Sequence, residues 1–329
     1  MMPREMPLLP LARRKAARTI WTSGGQAERR RKPLRLFLLI VNSQDLCRFS
    51  KLDPLYLIQT RFLEMQTERQ IGICGGKHRV NPYVKNLKKI EFFVTNACTG
   101  KCKHCSEGDH DGCTGHIDTR VASEAVRKIC SCYDISTVMT FGGEPLLYPE
   151  TVCAIHKTAT SLGVAKRQVI TNGFFSKNND RIKTVVLSLA ESGVNNLLLS
   201  VDAFHQETIP LEIVMFFAKC AVDSGIPVKL QPAWLVSAED QNSYNVKTKE
   251  IIRVFDPLHI PLNQGNVIFP SGNALKYRRE YFDDSAALFS PYEEDPEDIR
   301  TISFEANGDV LKGNVYNKDI LEIIRTYRP

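Results

Sequence analysis

No cysteine follows Cys220 in this chain of 329 residues, and no apolar run approaches membrane length. Leu36 to Val41 is a run of six residues, whereas a spanning helix needs about 20. Nothing at the start reads as a signal peptide, which would need a clean apolar stretch and a small-residue cleavage site. The ten cysteines are unevenly spread along a long chain, which does not fit a small secreted disulfide scaffold. Reduced thiols with one metal cluster fit better. Acidic residues are scarce at the start. Only Glu5 and Glu28 occur among the first 33 residues, against nine Lys and Arg. A basic nucleic-acid arm or a transit peptide has this look. So does a disordered tail or upstream extension, the simpler reading. The net charge of +6 is mild and does not by itself call for nucleic acid. The hydrophobic fraction of 43% and charged fraction of 24% are ordinary for a globular protein. The length suits one α/β barrel with a large core.

Residues 1–85 therefore read as a basic, partly disordered extension. From Lys88 onward apolar strands alternate with amphipathic helices. KIEFFVTN ends a first strand at Asn96, and Asp118 or Thr119 caps the helix that follows. Residues 136–141, 167–170, 196–200, 227–231 and 266–269 read as five further strands. Helices fill 149–162, 180–191, 211–223 and 244–255. Such an array implies a parallel sheet, and residues 86–282 are expected to form a partial (β/α)6 barrel of the TIM type. Residues 283–329 are expected to form an acidic loop followed by a hairpin turning at Asn307-Gly308. A last helix would be capped by Asp319. Every polar signature falls just after a strand, and in a parallel barrel those loops share one face.

The first signature is Cys98-x3-Cys102-x2-Cys105. Three thiolates in eight residues suit an iron–sulfur cluster that keeps one iron open, since such clusters usually take four. They also suit zinc, with His104, His110, Cys113 or His116 as a fourth ligand. A zinc-binding structural or nucleic-acid-binding protein is thus the alternative. The later signatures are Gly142-Gly143-Glu144-Pro145, Thr171-Asn172-Gly173 and Ser200-Val201-Asp202. In this order, each after its strand, the four motifs resemble those of the radical S-adenosylmethionine (radical SAM) superfamily. The likeness is greatest to the branch of molybdopterin-precursor cyclases and SPASM/twitch-type maturases. It covers about residues 88–270.

That resemblance implies an enzyme. Cys98, Cys102 and Cys105 would ligate three irons of a [4Fe–4S] cluster, with SAM on the fourth. Gly142, Gly143 and Glu144 would receive the methionine end of SAM, with Glu144 accepting from its amino group. Thr171, Asn172, Ser200 and Asp202 would complete the SAM contacts. The implied chemistry is reductive cleavage of SAM and hydrogen abstraction from a small-molecule or peptide substrate. It needs a low-potential donor such as flavodoxin or ferredoxin and a reducing cytoplasm. It needs neither a membrane nor nucleic acid.

The chain also departs from the pattern. His104 stands where an aromatic often precedes the third cysteine, and is expected to pack in the same way. The C-terminal hairpin resembles the start of a cysteine-rich extension but has no cysteines, so no auxiliary cluster is expected there. Cys130, Cys132, Cys153 and Cys220 read as small buried hydrophobes. His205 and Cys113 are the candidate catalytic residues. Gln206, Gln231, Trp234, Ser271 and Asn273 sit where side chains could reach a ligand.

Overall fold

The computed structural model describes residues 80–282 and 293–329. Most of the basic extension lies outside them, as do the acidic residues Asp283 and Asp284.

The strands follow from alternation. In β1 (Lys89–Phe93), Ile90 and Phe92 are fully buried, while Lys89 and Glu91 are only partly so. A strand sends successive side chains to opposite faces, so the apolar set packs under helices and the polar set faces the barrel interior. The same logic forms β2 (Thr137–Phe141), β3 (Lys166–Thr171), β4 (Asn196–Ser200) and β5 (Val228–Gln231). Between them run α1 (Thr119–Cys132), α2 (Pro149–Ser161), α3 (Asn179–Glu191) and α4 (Leu211–Asp223). Asp118 caps α1 by accepting from the amides of Arg120 and Val121, and Asn178 caps α3 in the same manner. Each cap satisfies amides that the helix leaves open. The core lies between sheet and helices, where Val138, Val169 and Leu197 meet Ile129, Ile155 and Val186, all fully buried. The five strands pair in parallel and in chain order.

The sixth strand differs from expectation. Of residues 266–269, only β7 (Asn266–Val267) is strand, and it pairs with β6 (Ala233–Trp234) in a separate two-stranded sheet. Leu262 already bridges to Leu230, so the outer edge of β5 is engaged before Asn266 is reached. The main sheet gains its sixth strand from the C-terminal segment. There β8 (Thr301–Phe304) lies parallel beside β1, giving the order β5-β4-β3-β2-β1-β8. Ile302 and Phe304 are fully buried, and Phe304 stacks on Phe92 with ring centroids 4.7 Å apart. The expected hairpin arm is therefore part of the core sheet. What remains of the hairpin is β9 (Asp309–Val310) against β10 (Gly313–Asn314). Asp319 caps the last helix, Ile320–Thr326, as expected. Asn81 ties both ends of this body together by donating to the carbonyls of Ile324 and Tyr327, at 2.8 and 2.9 Å. The architecture is a partial TIM-type barrel of six parallel strands alternating with helices. No helix among the described residues is long and apolar enough to cross a membrane.

Candidate active site

The loops after β1, β2, β3 and β4 meet over one cavity of about 700 Å³. Cys98, Cys102 and Cys105 line it together with Gly142, Gly143 and Thr171, so the three thiols and the later motifs share one space. None of the three is in a disulfide. Burial pushes the Cys98 thiol up to about 12 and raises Cys102 and Cys105 as well. Left alone these groups keep their protons, and a metal must displace them to bind. Three soft sulfur donors on one cavity, with no fourth cysteine lining it among the described residues, match a cluster that leaves one iron for an outside ligand.

The cysteine loop is clamped from several sides. The Thr99 hydroxyl donates to the Phe174 carbonyl, and Asn172 Nδ2 reaches Thr99 Oγ1 at 3.3 Å and Cys98 Sγ at 3.7 Å. From beyond β7, the Asn273 amide donates to the Cys105 carbonyl at 2.9 Å. Asn273 Nδ2 donates to the carbonyls of Cys102 and Gly108, and the Ser271 hydroxyl to that of Ser106. Ser271 and Asn273 thus hold the loop rather than reach for a ligand, and no motif in the sequence signals that role. The sequence offers His110 only as a zinc ligand. Its Nδ1 donates to the Asn96 carbonyl at 2.7 Å, and its Nε2 lies 3.3 Å from Cys105 Sγ.

The glycine pair is demanded by contact. A Cβ on Gly142, whose φ is +138°, would lie 2.7 Å from the Thr95 carbonyl oxygen; one on Gly143 would lie 2.2 Å from that of Ala97. The amides of Gly143 and Glu144 donate to those same two carbonyls at 2.8 Å. The turn after β2 is thereby seated against the root of the cysteine loop.

Glu144 departs from expectation. It is fully buried and does not line the cavity. Its Oε1 accepts from the Thr171 hydroxyl at 2.7 Å and the Leu146 amide at 2.9 Å, and its Oε2 accepts from the Asn172 amide at 2.8 Å. Burial pushes its carboxyl up to about 7, against the pull of those hydrogen bonds. The side chain joins two loops, and only the glycines before it face the cavity.

Asp202 is also fully buried. Its Oδ1 accepts from the amides of Phe204 and His205, and its Oδ2 from the Ala233 amide at 3.0 Å and from His205 Nδ1 at 2.7 Å. Burial acts to raise its carboxyl, but the charge and hydrogen bond of His205 outweigh it and hold the group well below the usual carboxylate range. The ring lines the cavity; when it is protonated both nitrogens donate, and when it is neutral the Nδ1 donation to Asp202 leaves Nε2 as the acceptor. His104 packs as expected, 4.9 Å from the Phe204 ring and 4.7 Å from that of His205. Burial and the His205 charge push it down to about 3.

Ser200 and Gln231 line the cavity. Cys113 does not. Gln206 turns back to accept from the Asp202 amide, and Trp234 is buried with Nε1 donating to the Gln264 carbonyl. Cys130, Cys132, Cys153 and Cys220 are half-buried rather than buried, and Cys132 is disulfide-bonded rather than a reduced thiol.

Comparison with known proteins places this geometry. The radical SAM superfamily pattern matches residues 92–230, which run from β1 to β5. A probable GTP 3',8-cyclase of Saccharolobus islandicus is 24% identical over 220 residues, covering 62% of this chain and 67% of that protein. The GTP 3',8-cyclase of Vibrio parahaemolyticus is 28% identical over 127 residues, 36% of either chain. Among solved structures, Streptococcus suis SuiB bound to S-adenosylmethionine is 14% identical with a TM-score of 0.47, covering 87% of this chain and 76% of that one. The hexahistidine-tagged anSMEcpe with bound AdoMet is 12% identical with a TM-score of 0.48, covering 72% and 79%. The cysteine motif, the glycine turn and the Thr171-Asn172 loop thus meet on one cavity within the segment, residues 92–230, that matches the radical SAM superfamily, whose enzymes work with a [4Fe–4S] cluster and SAM.

Proposed function

We propose that Cys98, Cys102 and Cys105 hold the cluster and that SAM lies beside it against Gly142, Gly143, Thr171, Asn172 and Ser200. The enzyme would then abstract hydrogen from a small-molecule or peptide substrate in the same cavity. The observation that carries this reading is the convergence of all three thiols and the glycine turn on one 700 Å³ space. When bound, the cluster and SAM supply a one-electron cleavage that yields a carbon radical able to take a hydrogen atom from substrate.

The rest falls to the chain itself. The glycine turn lets a ligand approach bare backbone. Glu144 sets the spacing between that turn and the Thr171-Asn172 loop. Asp202 fixes the His205 tautomer, so that Nε2 can accept a proton from a substrate group. Loops over the barrel mouth limit solvent. A low-potential donor such as flavodoxin or ferredoxin would reduce the site, in a reducing compartment such as the cytoplasm.

Anaerobic reconstitution with iron and sulfide, then dithionite reduction with SAM, tests this. Wild type is expected to release 5′-deoxyadenosine, and Cys102→Ala to release none. A protein that takes up only zinc, with His110 as a fourth ligand, and leaves SAM intact would overturn the reading.

A further inference from the structure

The floor of the same cavity carries residues that the cluster chemistry does not use. Lys89 on β1, Lys166 on β3 and Lys229 on β5 all line it, together with Gln168 and Asn196. These residues stand at or near the starts of their strands, at the opposite end from the cysteine loop. A closed TIM barrel fills its interior with layers of bulky branched side chains. Here the inward positions nearest the strand starts include Lys89, Lys166, Gln168, Asn196 and Lys229, while Met139, Ile170 and Leu198 supply apolar lining further along the strands.

At this end of the cavity the lysines outnumber the carboxylates, whereas Glu107 and Asp202 line it at the end of the cysteine loop. Glu91 pairs with Lys89 and also accepts from the Ser303 hydroxyl at 3.0 Å. Among the described residues neither Lys166 nor Lys229 has an acidic partner within ion-pair reach. The three ammonium groups also act on one another. Although Lys166 is largely exposed, partial desolvation and then the charges of Lys89 and Lys229 lower it from its ordinary value. Asn196 adds a buried Oδ1 with no hydrogen-bond partner. Like charges gathered in a concave wall focus a positive potential that attracts an anion. An amide acceptor beside them suits a ligand that also carries a hydroxyl or amine.

Distance then sorts the candidates. Lys166 and Thr171 are the ends of β3, and five steps of a strand cover roughly 16 Å. A ligand reaching from the floor to the cysteine loop must be extended, with its anionic group at one end and its reacting carbon near the other.

We propose that Lys89, Lys166 and Lys229 form an anion subsite that anchors a phosphate or carboxylate group of the substrate and points its other end toward the cysteine loop. The proposal rests on the radical SAM reading for its reacting end. Its binding chemistry stands on the lysines alone.

The test is calorimetric titration of the anaerobically reconstituted full chain, at low and high salt, with inorganic tripolyphosphate and separately with citrate. Saturable binding of at least one anion is expected, weakening as salt rises. Tighter tripolyphosphate identifies a phosphate-bearing substrate, and tighter citrate a carboxylate-bearing one. The double variant Lys166→Gln/Lys229→Gln should weaken binding at least tenfold. Lys183→Gln, an exposed lysine on α3 paired with Asp180, should leave it unchanged. Circular dichroism and the urea midpoint of the double variant should match wild type, since both lysines are exposed. No saturable binding of either anion, or equal binding by the double variant, overturns the proposal. Failure of the radical reading would appear instead as absent 5′-deoxyadenosine in wild type, with the anion titration intact.

Discussion

Glu144 and Thr171 are joined by a 2.7 Å hydrogen bond in which the hydroxyl donates to a fully buried carboxylate. The same carboxylate accepts the amides of Leu146 and Asn172, so one side chain couples the loops after β2 and β3. Glu144→Gln keeps one acceptor oxygen but turns an NH2 group toward a donor. It should cost about 1–3 kcal/mol, the usual penalty for one buried group left unpaired. Glu144→Ala strands all three donors and should cost more. Urea unfolding of both variants checks the order, and equal losses would remove the coupling role.

Gly143 has no room for a side chain. A methyl group would lie 2.2 Å from the Ala97 carbonyl oxygen, a backbone atom that cannot swing aside as a side chain could. Gly143→Ala must push the root of the cysteine loop away from the turn. The expected outcome is a stability loss of about 2 kcal/mol or more and iron incorporation clearly below wild type after reconstitution. Iron analysis per chain reads it. Full incorporation with unchanged stability would show that the loop yields freely.

Much of this was legible in the sequence because it depends on local pattern. The five strands β1 to β5, the caps at Asp118 and Asp319, and a polar motif after each strand follow from period, capping chemistry and order. Side-chain direction was not legible. Glu144 in a Gly-Gly-Glu-Pro turn looks the same whether it faces a ligand or a neighbouring loop, and only three donors converging from elsewhere decide it. Long-range pairing was also hidden. Thr301–Phe304 alternates like any strand, and nothing local says that it joins β1 rather than its own hairpin. The lysine floor did leave a trace. Lys89-Ile90-Glu91-Phe92 and Asn196-Leu197 place polar residues on the face opposite the helix-packed one, which a solid barrel core would not tolerate.

Asp202 holds four donors, and the His205 ring is one of them. Asp202→Asn leaves acceptors for at most half of these and faces an NH2 group toward the rest. A loss of about 2–3 kcal/mol is expected for weakening hydrogen bonds to a buried charge. The more specific outcome is the His205 tautomer. In wild type the ring nitrogen resonances should report a proton on Nδ1, and in Asp202→Asn that preference should relax. His205→Gln should leave the other three bonds to Asp202 in place and cost less stability than Asp202→Asn. If the tautomer is the same in Asp202→Asn and wild type, Asp202 does not orient the ring.

His156 does not line the cavity and gives the protein an acid-sensitive point. On α2 it is fully buried, with Nε2 2.9 Å from Thr140 Oγ1 on β2 and Nδ1 without a partner. Burial, and then the charge of Arg167, pushes it from 6.5 down to about 3. The neutral ring is therefore the folded form, whereas the unfolded chain binds a proton below 6.5. The folded state binds fewer protons between these two values, so stability is full above pH 6.5 and falls as pH drops toward 3. The whole window corresponds to roughly 5 kcal/mol if the native state does not relax. His156→Gln keeps a polar contact to Thr140 and removes the titration. Urea midpoints measured from pH 8 down to pH 4 should fall more steeply in wild type than in the variant, with the curves diverging below pH 6.5. Parallel curves would mean that His156 can be protonated in place, and that acid sensitivity resides in other groups.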